Sequence, residues 1–118
     1  MRYGYRAAAM LLKKYINVYK YNTIRKICIH WAPTIENDTA AYIRFVSMAA
    51  HLDADLEIEF GDYSAMMNLL AAMTRMENGN QWDPMANHDM WVAMYEGYIM
   101  ARENLSNFKN LADVSPDC

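Results

Sequence analysis

Apolar side chains recur along this chain at helical spacing from its first residues. Tyr5, Ala8, Ala9, Leu12, Tyr15, Ile16 and Tyr19 follow one another at intervals of three and four, with Arg6, Lys13, Lys14 and Lys20 mostly between them. That period predicts a helix over 3–20 with one buried stripe. Asn22 is a good N-cap for a short second helix from Thr23 to about Trp31, whose stripe is Ile24, Ile27, Cys28 and Trp31. Pro33 disfavours helical geometry at Ala32 and ends that helix. After a loop from Thr34 to Asp38, either Asn37 or Asp38 caps a third helix over about 39–51, with Tyr42, Ile43, Val46, Ala49 and Ala50 inward.

The period then changes. In DADLEIEFGD, 53–62, Leu56, Ile58 and Phe60 alternate with Glu57 and Glu59. A two-residue period fits an extended chain. With no second strand to pair it, the segment is expected to be an extended acidic loop pinned by its apolar residues. Asp62 caps a fourth helix over about 63–78, lined by Met66, Leu69, Leu70, Met73 and Met76, and Gly79 stands where a C-cap glycine belongs. A loop over 80–87 with Pro84 precedes a fifth helix from about Asp89 to Leu105, with Met90, Met94, Ile99 and Met100 among its apolar positions. The expected fold is an all-α bundle of about five helices, one domain over 1–105, followed by a polar tail at 106–118.

Composition agrees. Only four Gly and three Pro in 118 residues argue against a turn-rich β sandwich or barrel. Apolar residues at 54% suffice for a core without metals or disulfides. Eleven Met fit either an adaptable core or a contact surface. Cys28 falls in an apolar helical pattern and Cys118 at the end, so neither a disulfide framework nor a zinc site is expected. His30, His51 and His88 lack metal-ligand spacing, no cofactor motif is present, and His88 beside Asp89 can contribute to a cap. No apolar run approaches the roughly 20 residues of a membrane span, and no signal peptide is recognised. The expected location is the host cytoplasm or a virion.

The net charge of −3 conceals an asymmetry: residues 1–31 hold seven Lys and Arg and no acid, whereas the remainder carries −10. The basic region is expected to lie against the acidic half of its own domain. The competing use, nucleic-acid binding with helices two and three as a helix-turn-helix, meets a linking loop longer than the usual three or four residues. It also finds Arg44 as the sole basic residue of helix three.

The most distinctive stretch is NTIRKICIHWAPTIENDTAAYI, Asn22 to Ile43. It resembles a family of phage and prophage virion proteins marked by a helix ending in Trp-Ala-Pro-Pro, then Glu-Asn-Asp-Thr, then a helix beginning near a Tyr. The matching residues are Asn22, Thr23, Ile24, Arg25, Trp31, Ala32, Pro33, Glu36, Asn37, Asp38, Thr39, Tyr42 and Ile43. Thr34 replaces the second Pro, and the chain starts after the point where the family's Asn-Asn-Pro-Gly-Asn block would end. The resemblance implies phage or prophage origin and a link to the virion or the bacterial cell wall.

A second stretch, LLAAMTRMENGNQWDPMAN, resembles the catalytic segment of lysozyme-superfamily lytic transglycosylases. There an apolar helix ends in Glu, followed by a small or polar residue, an aromatic, a Pro and an Ala; the counterparts here are Glu77, Asn78, Gly79, Trp82, Pro84 and Ala86. The superfamily's downstream Gly-Ala-x-Gly-Leu-Met-Gln is replaced by NHDMWVAMYEGYIM. This resemblance implies a lysozyme-like fold with Glu77 as general acid, its pKa raised by burial against an aromatic. Glu36 or Asp38 is the candidate second carboxylate, and Trp31, Asn37, Asp38, Tyr42 and Trp82 are candidate sugar contacts. The alternative is a non-catalytic virion or interaction module, in which Asn37 and Asp38 simply cap helix three. The expected partners are peptidoglycan glycan, other virion proteins, or a second copy docking through Trp91 and Tyr95.

Overall fold

A computed structural model describes residues 2–31 and 38–103. It is all-helical there: α1 (Arg2–Asn17), α2 (Ile24–Trp31), α3 (Thr39–Ala50), α4 (Tyr63–Asn78) and α5 (His88–Glu103), with a 3-10 turn at Pro84–Ala86 before α5. The expected tail at 106–118 lies outside the described residues.

Helix α1 stops short of residue 20 because the chain turns left-handed at Lys20, φ 63°. The N–H groups of Val18 and Tyr19 both close on the Lys14 carbonyl, at 2.9 and 3.2 Å, and that of Tyr21 reaches the Tyr15 carbonyl at 2.8 Å. Tyr5, Ala9, Leu12 and Ile16 are buried as the period predicts, but Tyr19 is exposed because it lies beyond the helix end.

The caps of α3 and α4 follow the sequence. Asp38 accepts from the Ala41 N–H at 3.2 Å and Asp62 from the Ala65 N–H at 3.1 Å. Gly79 closes α4 at φ 102°, its N–H on the Arg75 carbonyl. Two caps differ from expectation. Thr23, not Asn22, caps α2, its Oγ1 accepting from the Lys26 N–H at 3.2 Å. Asn22 is occupied elsewhere: its carbonyl accepts from the Ile58 N–H at 2.8 Å. Asn87 caps α5, accepting from the Met90 N–H at 3.0 Å, so His88 is the first helical residue rather than a cap.

The acidic segment is the extended loop expected, and its backbone supplies part of the anchoring. Besides Ile58, the Ala54 carbonyl takes the Arg25 N–H at 3.0 Å. Ile58 and Phe60 are buried, whereas Leu56 faces outward because the chain turns at Asp53–Leu56. The Tyr98 hydroxyl fixes Phe60 by donating to its carbonyl at 2.7 Å.

Helix α1 packs chiefly on α5, and α3 on both α4 and α2. At the first contact Gly97 is pressed against α1 so closely that a Cβ there would stand 2.7 Å from the Arg6 amide nitrogen and 2.7 Å from Tyr5 Cβ. Further along the same interface, buried Lys13 extends its ammonium to the Ala101 carbonyl at 2.6 Å. A cation there meets the negative end of α5 and one of its unpaired terminal carbonyls. Burial nevertheless pulls the Lys13 pKa below its usual value. Met66, Met67, Met73, Met90 and Met94 are buried, so much of the methionine is core, while Met48 is 72% exposed. Cys28 is buried and its thiol is pushed up to about 12 by desolvation, which leaves it unreactive at neutral pH.

Two substitutions test this packing. Gly97→Ala adds helix propensity worth about 1 kcal/mol. The clash with α1 backbone opposes it at about 1–3 kcal/mol. The expected outcome in urea denaturation is net destabilisation. At the end of α3, His51 sits left-handed at φ 58°, its N–H on Met48 and the Leu52 N–H on the Ser47 carbonyl. Glycine suits that position, so His51→Gly is expected to raise stability by about 0.5–1 kcal/mol. A lowered urea midpoint would contradict the strain assignment.

Candidate functional site

The first turn of α3 and the last turn of α4 lie side by side, so that Tyr42 reaches Glu77. The Tyr42 hydroxyl donates to Glu77 Oε1 at 2.9 Å across 35 residues of sequence. Tyr42 is buried, and desolvation, then the neighbouring Glu77 charge, holds its pKa well above the ordinary tyrosine value. The phenol therefore keeps its proton and remains a donor to the carboxylate.

Glu77 also stands on the rim of a pocket of about 210 Å³. The walls are Tyr5 and Ala8 from α1, Trp31 from the end of α2, and Leu70, Met73 and Thr74 from α4, with Gly4 and Asn78 at the edges. The polar atoms of the deeper wall are already engaged. Thr74 Oγ1 donates to the Leu70 carbonyl at 2.8 Å. Its one proton is thus used, and the 2.8 Å contact with Tyr5 must have the Tyr5 hydroxyl as donor. The Asn78 amide donates to the Thr74 carbonyl at 3.1 Å. What remains is an apolar, aromatic-walled hollow with one carboxylate at its mouth.

Of the residues singled out in the sequence, the fold brings Trp31, Tyr42 and Glu77 together. Asp38 stands one turn before Tyr42, exposed and engaged as the α3 cap. Trp82 is 48% exposed and is not part of the pocket wall; its N–H closes a turn on the Gly79 carbonyl at 3.0 Å. Glu36 and Asn37 lie outside the described residues. Glu77 itself is exposed rather than buried against an aromatic. Among the described residues no cluster of His, Cys, Asp or Glu could hold a metal, and no helix is long and apolar enough to cross a membrane. Sequence reading missed Tyr5, Ala8, Met73 and Thr74 as pocket residues. Tyr5, Ala8 and Met73 were legible only as members of the apolar stripes of α1 and α4, and Thr74 gave no signal.

Tyr42 gives the site a pH signature. A folded pKa raised above the unfolded value contributes stability that is complete below about pH 10 and is lost as pH climbs above it. Tyr42→Phe is expected to lower stability by about 1 kcal/mol at neutral pH, through the lost hydrogen bond. The variant should also flatten the alkaline decline. Thermal melts between about pH 8 and 11 test this, since parallel curves for both proteins would show that Tyr42 is not a buried donor.

No family profile matches the chain, and no solved structure matches it. Over 78 residues, 66% of its length, it is 36% identical to Protein P5 of Pseudoalteromonas phage PM2. The chain spans about half, 47%, of that protein's length. It is thus a relative of a phage protein, which agrees with the phage origin implied by the Asn22–Ile43 stretch. The likeness of the Glu77 segment to lytic transglycosylases rests on its own residues alone.

Proposed function

We propose that this phage-related chain serves at the virion or the host wall by binding the glycan of peptidoglycan in the Trp31–Glu77 pocket. The observation that carries this reading is the Tyr42–Glu77 hydrogen bond at the mouth of an aromatic-walled hollow. Sugars offer an apolar ring face and a rim of hydroxyl and amide donors. An indole and a phenol accommodate the first, and an oriented carboxylate accepts from the second. At about 210 Å³ the hollow suits one sugar residue as an anchor, below the usual range for whole drug-sized ligands.

The muralytic reading needs Glu77, in the last turn of α4, as general acid and a second carboxylate facing it. Two features oppose it. The Glu77 side chain is exposed rather than enclosed, and among the described residues no second carboxylate lines the pocket. Binding without cleavage is therefore the better-supported role.

Co-sedimentation with purified peptidoglycan tests it, with the supernatant read by mass spectrometry for released muropeptides. The full chain is expected to sediment with the wall and to release nothing. Trp31→Ala should weaken binding by about tenfold, the equivalent of one lost stacking contact. Glu77→Gln should weaken it less, since the amide still offers one acceptor. Muropeptides from the parent but not from Glu77→Gln would replace binding by glycosidase activity. Failure of the parent to sediment would leave a virion interaction module as the function.

A further inference from the structure

The corner where α1 turns into α2 carries a surface that the glycan pocket does not use. Val18 is 48% exposed and Tyr19 47%, just past the end of α1, and Ile29 on α2 is 45% exposed. Beside Tyr19 the rings of Tyr15, Tyr21, His30 and Trp31 form one connected cluster. Tyr21 stacks on His30 with centroids 3.9 Å apart, and Tyr15 meets Tyr21, His30 and Trp31 edge-on. The Tyr15 hydroxyl ties the two helices by donating to the His30 carbonyl at 3.1 Å.

Lysines surround this corner. Lys20 and Lys26 are exposed, and Lys14 is half-buried over the Tyr19 ring at 5.6 Å. None of the three is drawn into an ion pair among the described residues. The acids that approach belong to the 53–62 loop. Asp55 pairs with Arg25 at 2.8 Å, and Glu57 and Glu59 flank Ile58 where its N–H meets Asn22. Asp55 meets the corner at Arg25 and Glu59 lines a surface cavity together with Lys20, whereas Lys26 and His30 lie farther round α2, His30 against Tyr21.

We propose that this corner docks on an anionic lipid bilayer surface. Tyrosine and aliphatic side chains can enter the headgroup boundary while lysines, on flexible apolar stems, meet lipid phosphates. A nucleic-acid strand is the competing anionic polymer, and the geometry disfavours it. Base stacking needs free ring faces. Here Tyr21 and His30 stack on each other, Tyr15 is half-buried and the exposed Tyr19 ring has Lys14 over one face, while exposed Val18 and Ile29 offer nothing to a base. The charge asymmetry adds orientation: the basic end approaches the surface while the acidic remainder is repelled from it.

Flotation of the full chain with vesicles tests this, using pure phosphatidylcholine against phosphatidylcholine containing phosphatidylglycerol, at low and high salt. The chain is expected to float with the anionic vesicles and to bind neutral ones at least tenfold more weakly. The triple variant Lys14→Glu, Lys20→Glu, Lys26→Glu should lose about a hundredfold in affinity for anionic vesicles. The double variant Val18→Ser, Ile29→Ser keeps the charge and should lose about tenfold. All these positions are at the surface, and circular dichroism checks that the variants remain helical. No flotation with anionic vesicles overturns the proposal, and so does equal binding to both vesicle types. If flotation fails while a single-stranded oligonucleotide shifts in a gel in a salt-dependent way, the corner is a nucleic-acid surface instead.

Discussion

Residue 97 has no side chain, and the position of α1 depends on that. Tyr5 and the Arg6 backbone rest against the place where a Cβ at residue 97 would stand. Such closeness places Tyr5 at the depth from which its hydroxyl meets Thr74 on α4. One glycine thus sets α1 against α5, and through Tyr5 it sets α1 against α4. Since Tyr5, Thr74, Leu70 and Met73 are also walls of the pocket, the shape of the candidate site follows from that contact. Lys13 makes the same interface less forgiving at its far end. Its ammonium can be buried only while the Ala101 carbonyl is there to receive it, so α1 is constrained at both ends.

The site itself turns on one hydrogen bond, from the buried Tyr42 phenol to the exposed Glu77 side chain. Tyr42 is the more constrained partner, because burial deprives it of any solvent alternative and its proton has no cheaper destination than Glu77. The pair therefore works as an orienting device in which the buried phenol fixes the exposed carboxylate at the pocket mouth. Such an arrangement suits the recognition of hydroxyl and amide donors proposed for the pocket.

How much of this could be read from sequence follows from the range of each interaction. Asp38, Asp62 and Gly79 act through groups three or four residues away; Asp62 and Gly79 were legible as caps, and Asp38 as one of two candidates with Asn37. Helix number and type followed from the 3.6-residue period. Asn22 was misread because its carbonyl is committed to Ile58, 36 residues on, which no local rule anticipates. Tyr19 and Leu56 kept their period but lost their burial, since the chain had already turned. Trp31, Tyr42 and Glu77 were legible as residues with chemistry. Their meeting was not, for the Tyr42–Glu77 bond depends on how α3 lies on α4. Gly97 went unremarked because a mid-helix glycine signals a close approach without saying to what.

The charge asymmetry has a partial counterpart among the described residues: Arg25 meets an acid, Asp55, and Lys13 is spent on a carbonyl. Lys14, Lys20 and Lys26 remain around an apolar corner. The acidic loop, held by its backbone, by Ile58 and by Phe60, reaches the basic end at Arg25 through Asp55 and beside Lys20 through Glu59. Trp31 then gains a double position: one side forms the pocket wall with Glu77, and another meets Tyr15 in the aromatic cluster under the basic corner. A rigid ring shared by both surfaces fixes the angle between them. A ligand in the pocket and a charged surface at the corner would therefore be presented to the protein in one set orientation, without any moving part.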